Sequence, residues 1–243
     1  DTVPSGLTHY ANARLEPLTL LSALAAVTEH IGLMATASTS YNEPYNLARY
    51  FASLDLLSNG RASWNVVTSW LEEEAANFGL EQLPRHGTRY QRANEFIDVV
   101  TRLWDSWEDG AAIFDKAHGV FADAGKVHHL DYQGEYFHVR GPLNVPRPPQ
   151  GHPLLVQAGS SEAGKALAAA WSDMHFVFIH SIAEGLAYRE EMNQRLRQHG
   201  RDPAHFKIIA GVLPVVVNSS EEKAARQQLN EQLMSDQMAV DLL

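Results

Sequence analysis

Cysteine is absent from this 243-residue chain. That excludes disulfides, thiolate nucleophiles and cysteine-ligated metal, and it leaves the compartment open. Long apolar runs are missing as well: no stretch is extended enough to span a bilayer, and none carries a secretory signal pattern. A cytoplasmic location is the expectation. Positive charge is scarce, with 19 Lys and Arg against 29 Asp and Glu, a net charge of −10, and no basic cluster on one face. Such a surface repels nucleic acid and anionic membrane, so neither is an expected partner. Catalytic signatures are wanting too. There is no Gly-x-Gly-x-x-Gly after a strand, no P-loop and no Gly-x-Ser-x-Gly elbow, since the run from Gly159 to Ala163 lacks the second glycine; a hydrolase reading has no anchor.

What is present is an ordinary globular composition, 45% hydrophobic and 20% charged, which suits one domain over residues 1–243 with a sizeable core. Its most informative stretch runs from Tyr41 to Ser69. Pro44 stands where a first helical turn tolerates a missing N–H, and Leu47, Tyr50, Phe51, Leu54 and Leu57 recur at helical spacing. Asn59 and Gly60 suit the left-handed end of that helix, and Ala62–Val67 then reads as a strand closing in Thr68-Ser69. A helix feeding an apolar strand is half of an α/β repeat. The same logic predicts a helix over 17–30 and a strand over Ile31–Ala37 with a polar end, Thr36 to Thr39.

Beyond Ser69 the pattern predicts a short helix over Glu72–Phe78, a long one over Thr88–Trp107, a polar loop, and a hairpin of 127–130 with 136–139. Residues from about 79 to 150 read as an insertion. A proline-stiffened return leads to the strand Leu154–Gln157, the helix Glu162–Trp171, the strand His175–Ile179, the helix Ile182–Gln198, the strand Phe206–Val217 and a helix opening at Ser219. Five core strands result, whereas a closed (β/α)8 barrel takes about 250 residues before insertions. With Asp1 in first place and a loop-like opening, the expectation is a partial barrel from a longer protein.

Three runs carry a resemblance. Pro44-Tyr-x-Leu-Ala-Arg49 with Leu54-Asp-x-Leu-Ser-x-Gly-Arg61 and Trp64-Asn-Val-Val-Thr-Ser69 is one; Arg140–Arg147 and Val156–Gly164 are the others. Together they resemble the nitrilotriacetate, dibenzothiophene-sulfone and long-chain-alkane monooxygenase branch of the bacterial-luciferase-like flavoproteins. The resemblance implies a (β/α)8 TIM barrel of the luciferase-like type, partial here because the first strands and the C-terminal part are absent. It implies reduced FMN as co-substrate, a separate NADH- or NADPH-dependent flavin reductase as partner, oxygenation of a small organic substrate, and a homodimer or higher homo-oligomer. A catalytically silent fragment that survives by association is the competing expectation, because open strand edges promote pairing.

Candidate residues follow. Gly159-Ser160-Ser161 joins a strand to a helix, so backbone N–H groups and two hydroxyls converge where a phosphate could sit; a plain N-cap explains the same residues. The resemblance implies that this turn contacts the FMN phosphate. His86 and Tyr90, four apart, share a helix face, which by itself means only a helix start. By resemblance both contact FMN, as do Ser69 and Thr36, with Ser38 the local competitor of Thr36. Asp55, Trp64 and Asn65 read as structural, Arg49 and Arg61 as cations paired with acids or with phosphate. Neither His128 and His129 nor His138 has ligand spacing, so no metal is expected, and no catalytic side chain is assigned.

Overall fold

The computed structural model describes residues 14–211 and 216–233, which fall into two units: Leu15–Ala210 and the described residues outside that range. The larger unit runs α1 (Pro17–Val27), β1 (Leu33–Ser38), α2 (Pro44–Ser58), β2 (Ala62–Val67), α3 (Glu72–Ala76) and α4 (His86–Asp105). Two small hairpins follow, β3 (Ala112–Asp115) with β4 (Val120–Ala122), and β5 (Tyr132–Gln133) with β6 (His138–Val139). The alternation then resumes with β7 (Leu154–Gln157), α5 (Glu162–Trp171), β8 (Met174–Val177), α6 (Ile182–Gln198) and β9 (Lys207–Ala210).

Five strands form one sheet in the order β1-β2-β7-β8-β9, every pair parallel. Sequential order without reversal is the wall of a (β/α) barrel; a doubly wound sheet would reverse at a switch point. Burial agrees. Leu33 and Ala35 on β1 and Ala62, Trp64 and Val66 on β2 are buried under helices, whereas Met34 and Thr36 on the opposite face are exposed. That second face is the one a barrel turns inward.

Phe51, Trp64, Phe96 and Trp104 centre the core between sheet and helices, each worth roughly 1.5–3 kcal/mol of burial. Both indoles find acceptors: Trp64 Nε1 donates to the Ala37 carbonyl and Trp104 Nε1 to that of Ala48, each at 3.0 Å. Asp55 is fully buried and accepts from Ala62 N (3.1 Å), Gln150 N (3.1 Å) and Gln150 Nε2 (2.6 Å). Arg61 caps the same amino end of the sheet, donating to the carbonyls of Ala25, Thr28, Ile31 and Ser58. Among the described residues the guanidinium is occupied by these carbonyls and by the Thr28 hydroxyl.

Several expectations shift. The long helix α4, inside the stretch expected as an insertion, packs on α2 and α5 in the layer that covers the sheet. The region expected as a polar loop holds β3 and β4. The second hairpin pairs Tyr132 with Val139, not 127–130, because Asp131 takes φ +44° and Val127 instead bridges to Trp107. Glu95 on α4 pins the tip of that hairpin, its carboxylate accepting from the backbone N–H groups of Glu135, Tyr136 and Phe137. The last strand ends at Ala210, and residues 212–215 of its expected range lie outside the described residues.

In the second unit, α7 (Ser220–Leu233) is capped by Ser219, whose Oγ accepts from Glu222 N at 3.1 Å.

Candidate functional site

Every polar strand end singled out above lies at the carboxyl edge of the parallel sheet, the edge at which barrels assemble their sites. The residues form two groups at the ends of neighbouring strands. At the β1–β2 end, Ser38 Oγ and Ser69 Oγ are 2.8 Å apart, so the competitor of Thr36 is a direct partner of Ser69. Ser69 has φ +58°, a left-handed backbone that costs a non-glycine residue about 1 kcal/mol or more. The β1 loop holds it there. Thr39 N donates to the Val67 carbonyl at 2.9 Å, and Ser40 Oγ to that of Thr68 at 2.7 Å. Thr36 lies two residues deeper on the inward face, exposed, with its Oγ1 accepting from Asn65 Nδ2 at 3.0 Å. Asn65 Oδ1 is buried without a partner.

At the β7 end, His86, Tyr90 and the Gly159-Ser160-Ser161 turn come together. The His86 and Tyr90 rings have centroids 4.7 Å apart, and His86 Nε2 is 3.4 Å from Ser161 Oγ. Ser161 caps α5 by accepting from Gly164 N at 3.1 Å, and Ser160 is exposed beside it. A Cβ on Gly159 would stand 2.6 Å from Gln157 Nε2 and 2.8 Å from the Tyr90 hydroxyl, so either side chain would have to move to admit it. Gly164 is constrained more tightly, because a Cβ on it would collide with the backbone carbonyl of Gly159. Backbone therefore packs on backbone where the turn enters the helix. No hydrogen bond joins the two groups among the described residues.

The charges beside the turn are paired with one another. Glu162 in the first turn of α5 would oppose an anion, but Lys165 Nζ (2.6 Å) and Arg195 Nη2 (2.6 Å) hold its carboxylate. Hydrogen bonds from Lys165 and Arg195 keep the Glu162 carboxyl below its ordinary range. Lys165 also binds Glu191 at 2.8 Å, tying α5 to α6. Beneath the turn, His175 Nε2 lies 3.2 Å from the Gly159 carbonyl oxygen and its Nδ1 3.0 Å from the Tyr188 hydroxyl. Burial pushes the His175 imidazole down from its ordinary pKa, so it is neutral near pH 7.

Asn65, Gln157, His175 and Tyr188 were not among the sequence candidates for this edge. A histidine flanked by apolar residues on a strand was the one signal available for His175. The histidines at and before the second hairpin are engaged separately: His128 with Glu108, His129 with the Gly141 carbonyl, His138 with that of Gly134.

The match of the luciferase-like monooxygenase family extends over residues 2–240. The chain belongs to that family. It is 50% identical to nitrilotriacetate monooxygenase component A of Aminobacter aminovorans over 94% of its own length and 51% of that protein's. Its fold superimposes on a crystal structure of a long-chain alkane monooxygenase with a TM-score of 0.85 at 36% identity, covering 93% of this chain and 52% of that one. A riboflavin lyase crystallised with modified FMN and riboflavin is similar too, with a TM-score of 0.84 at 37% identity over 89% of this chain and 48% of that one. The chain thus spans about half the length of the relatives it matches.

Proposed function

We propose that the carboxyl edge of this sheet holds reduced FMN and that the protein uses it with molecular oxygen to oxygenate a small organic substrate. A separate NADH- or NADPH-dependent flavin reductase in the cytoplasm delivers the cofactor, and the protein works as a homodimer or larger homo-oligomer. The family match over residues 2–240 supports treating the chain as one luciferase-like domain.

The observation that carries this reading is the Gly159-Ser160-Ser161 turn at the N-terminus of a 10-residue helix, with its neighbouring acid neutralised. Free N–H groups and hydroxyls at such a terminus bind phosphate, and the glycines let backbone approach closely. His86 and Tyr90 close one side of that cradle. Asn65 Oδ1, an acceptor with no protein partner, and Thr36 lie on the inward face, where a flavin ring N–H could donate. Ser38 and Ser69 hold each other at the next strand end, and Trp70 and Phe178, 76% and 74% exposed, stand just beyond β2 and β8. Those two apolar side chains are suited to shielding ring and substrate from water.

Reduced FMN, when bound, supplies the electrons that activate oxygen. The chain binds the phosphate, orients the ring and excludes water, which requires no protein nucleophile. Anaerobic titration with reduced FMN, followed by 18O2 and a substrate panel containing nitrilotriacetate and a long-chain alkane, tests the reading. Saturable binding and one 18O atom in a product are expected; a folded protein that never saturates with reduced FMN contradicts it.

A further inference from the structure

His175 stands in the middle of β8 with no solvent exposure, a polar ring reaching two other elements. A carbonyl oxygen only accepts, so the contact to Gly159 requires the proton on Nε2, and Nδ1 keeps the lone pair to which the Tyr188 hydroxyl donates. Geometry therefore selects one tautomer. Burial pushes the Tyr188 phenol up to about 12, so its hydroxyl stays a donor at any working pH. Phe206 packs on the same ring, with centroids 6.3 Å apart in an edge-to-face arrangement.

The rest of the Gly159 residue is engaged as well. Its N–H donates to Gln157 Oε1 at 2.7 Å, its Cα faces the Tyr90 hydroxyl, and Gly164 of α5 packs on its carbonyl. Ser160 and Ser161 follow directly, so the direction of their N–H groups and hydroxyls depends on the plane in which this peptide is held.

We propose that His175, oriented by Tyr188, is a positioning residue that holds the Gly159 peptide so that the Ser160-Ser161 turn faces the phosphate of the flavin. The proposal rests on the cofactor reading given above. It means that the phosphate cradle is referenced to β8 and α6 as well as to its own loop, and that the effect of His175 falls on the phosphate end of the ligand and spares the ring.

The test compares the wild-type protein with His175→Phe, His175→Gln and Tyr188→Phe. Dissociation constants for reduced FMN and for reduced riboflavin, which lacks the phosphate, are measured anaerobically, together with amide hydrogen exchange at Gly159 to Ser161 without ligand. Loss of the imidazole donor in His175→Phe is expected to weaken FMN about tenfold, to leave riboflavin unchanged and to speed exchange in the turn. His175→Gln, whose amide N–H reaches the same carbonyl, restores most of the affinity, and Tyr188→Phe loses about threefold. A merely structural role lowers thermal stability and leaves the FMN-to-riboflavin ratio of the folded protein where it was. Wild-type protein that discriminates FMN from riboflavin, with His175→Phe and Tyr188→Phe discriminating equally well, overturns the positioning role. Wild-type protein that binds neither ligand overturns the cofactor reading instead. Where His175→Phe does not fold, Tyr188→Phe decides by the same two measurements, because it removes only a hydroxyl and keeps the ring.

Discussion

Asp55 shows at the residue scale how a chemically tempting side chain is spent on architecture. Its carboxylate is buried and takes three N–H groups, two of them from Gln150 on the proline-rich return to β7. Removing the carboxylate leaves the buried Ala62 N–H without its acceptor, so Asp55→Ala is expected to cost about 3 kcal/mol in urea denaturation while the folded fraction binds flavin normally. An Asp55→Ala protein with full stability would contradict the assignment. The sequence placed Asp55 on a helix beside a turn and read it as structural; which N–H groups it serves depends on Gln150, too distant in sequence for any local pattern. His86 and Tyr90 are the opposite case. Helical spacing alone predicts their shared face, and their rings lie 4.7 Å apart. Asn65 was read as part of the barrel wall, and only the alternation of buried and inward residues along β2 brings its amide onto the Thr36 face.

Among the elements, legibility followed periodicity. The bounds of α2, β2, β7, α5 and α6 were readable because glycine, proline, serine and apolar spacing all agree there. The β3–β4 hairpin was not, since its four-residue and three-residue strands carry a bulge between them and Phe114 adopts φ +53°, departures that composition does not announce. Ion pairs between helices were equally hidden. Lys165 of α5 and Glu191 of α6 clamp the two helices, and the hydrogen bond from Lys165 keeps the Glu191 carboxyl below its ordinary value of 4.5. A depressed folded-state pKa means that this contribution is complete above 4.5 and is lost as pH falls through the lower folded value. Lys165→Met should therefore reduce stability by about 1 kcal/mol or less at pH 7, given partial exposure, with the difference from wild type shrinking as pH falls below 4.5. Denaturant melts across that range check it. A difference that persists at low pH would assign the effect to packing of the lysine stem.

For the whole molecule, a parallel sheet in sequential order, helices on one face and a polar carboxyl edge converge on one barrel-type architecture, and the family match agrees. That much was readable from strand and helix alternation together with the residue runs. The direction of the Gly159-Ser160-Ser161 turn was not, because it depends on contacts between β7, α4, β8 and α6 that no local pattern encodes. The central claim is that this edge grips a flavin by its phosphate, and the ratio of affinities for reduced FMN and reduced riboflavin measures that grip most directly. Wild-type protein should prefer FMN by tenfold or more, and the preference should collapse towards unity in the Ser160→Ala, Ser161→Ala double variant, since hydrogen bonds to a charged group are worth about 1.5–3 kcal/mol each. Equal affinity for the two flavins in the wild-type protein, or a preference untouched by the double substitution, would place the phosphate elsewhere and contradict the account.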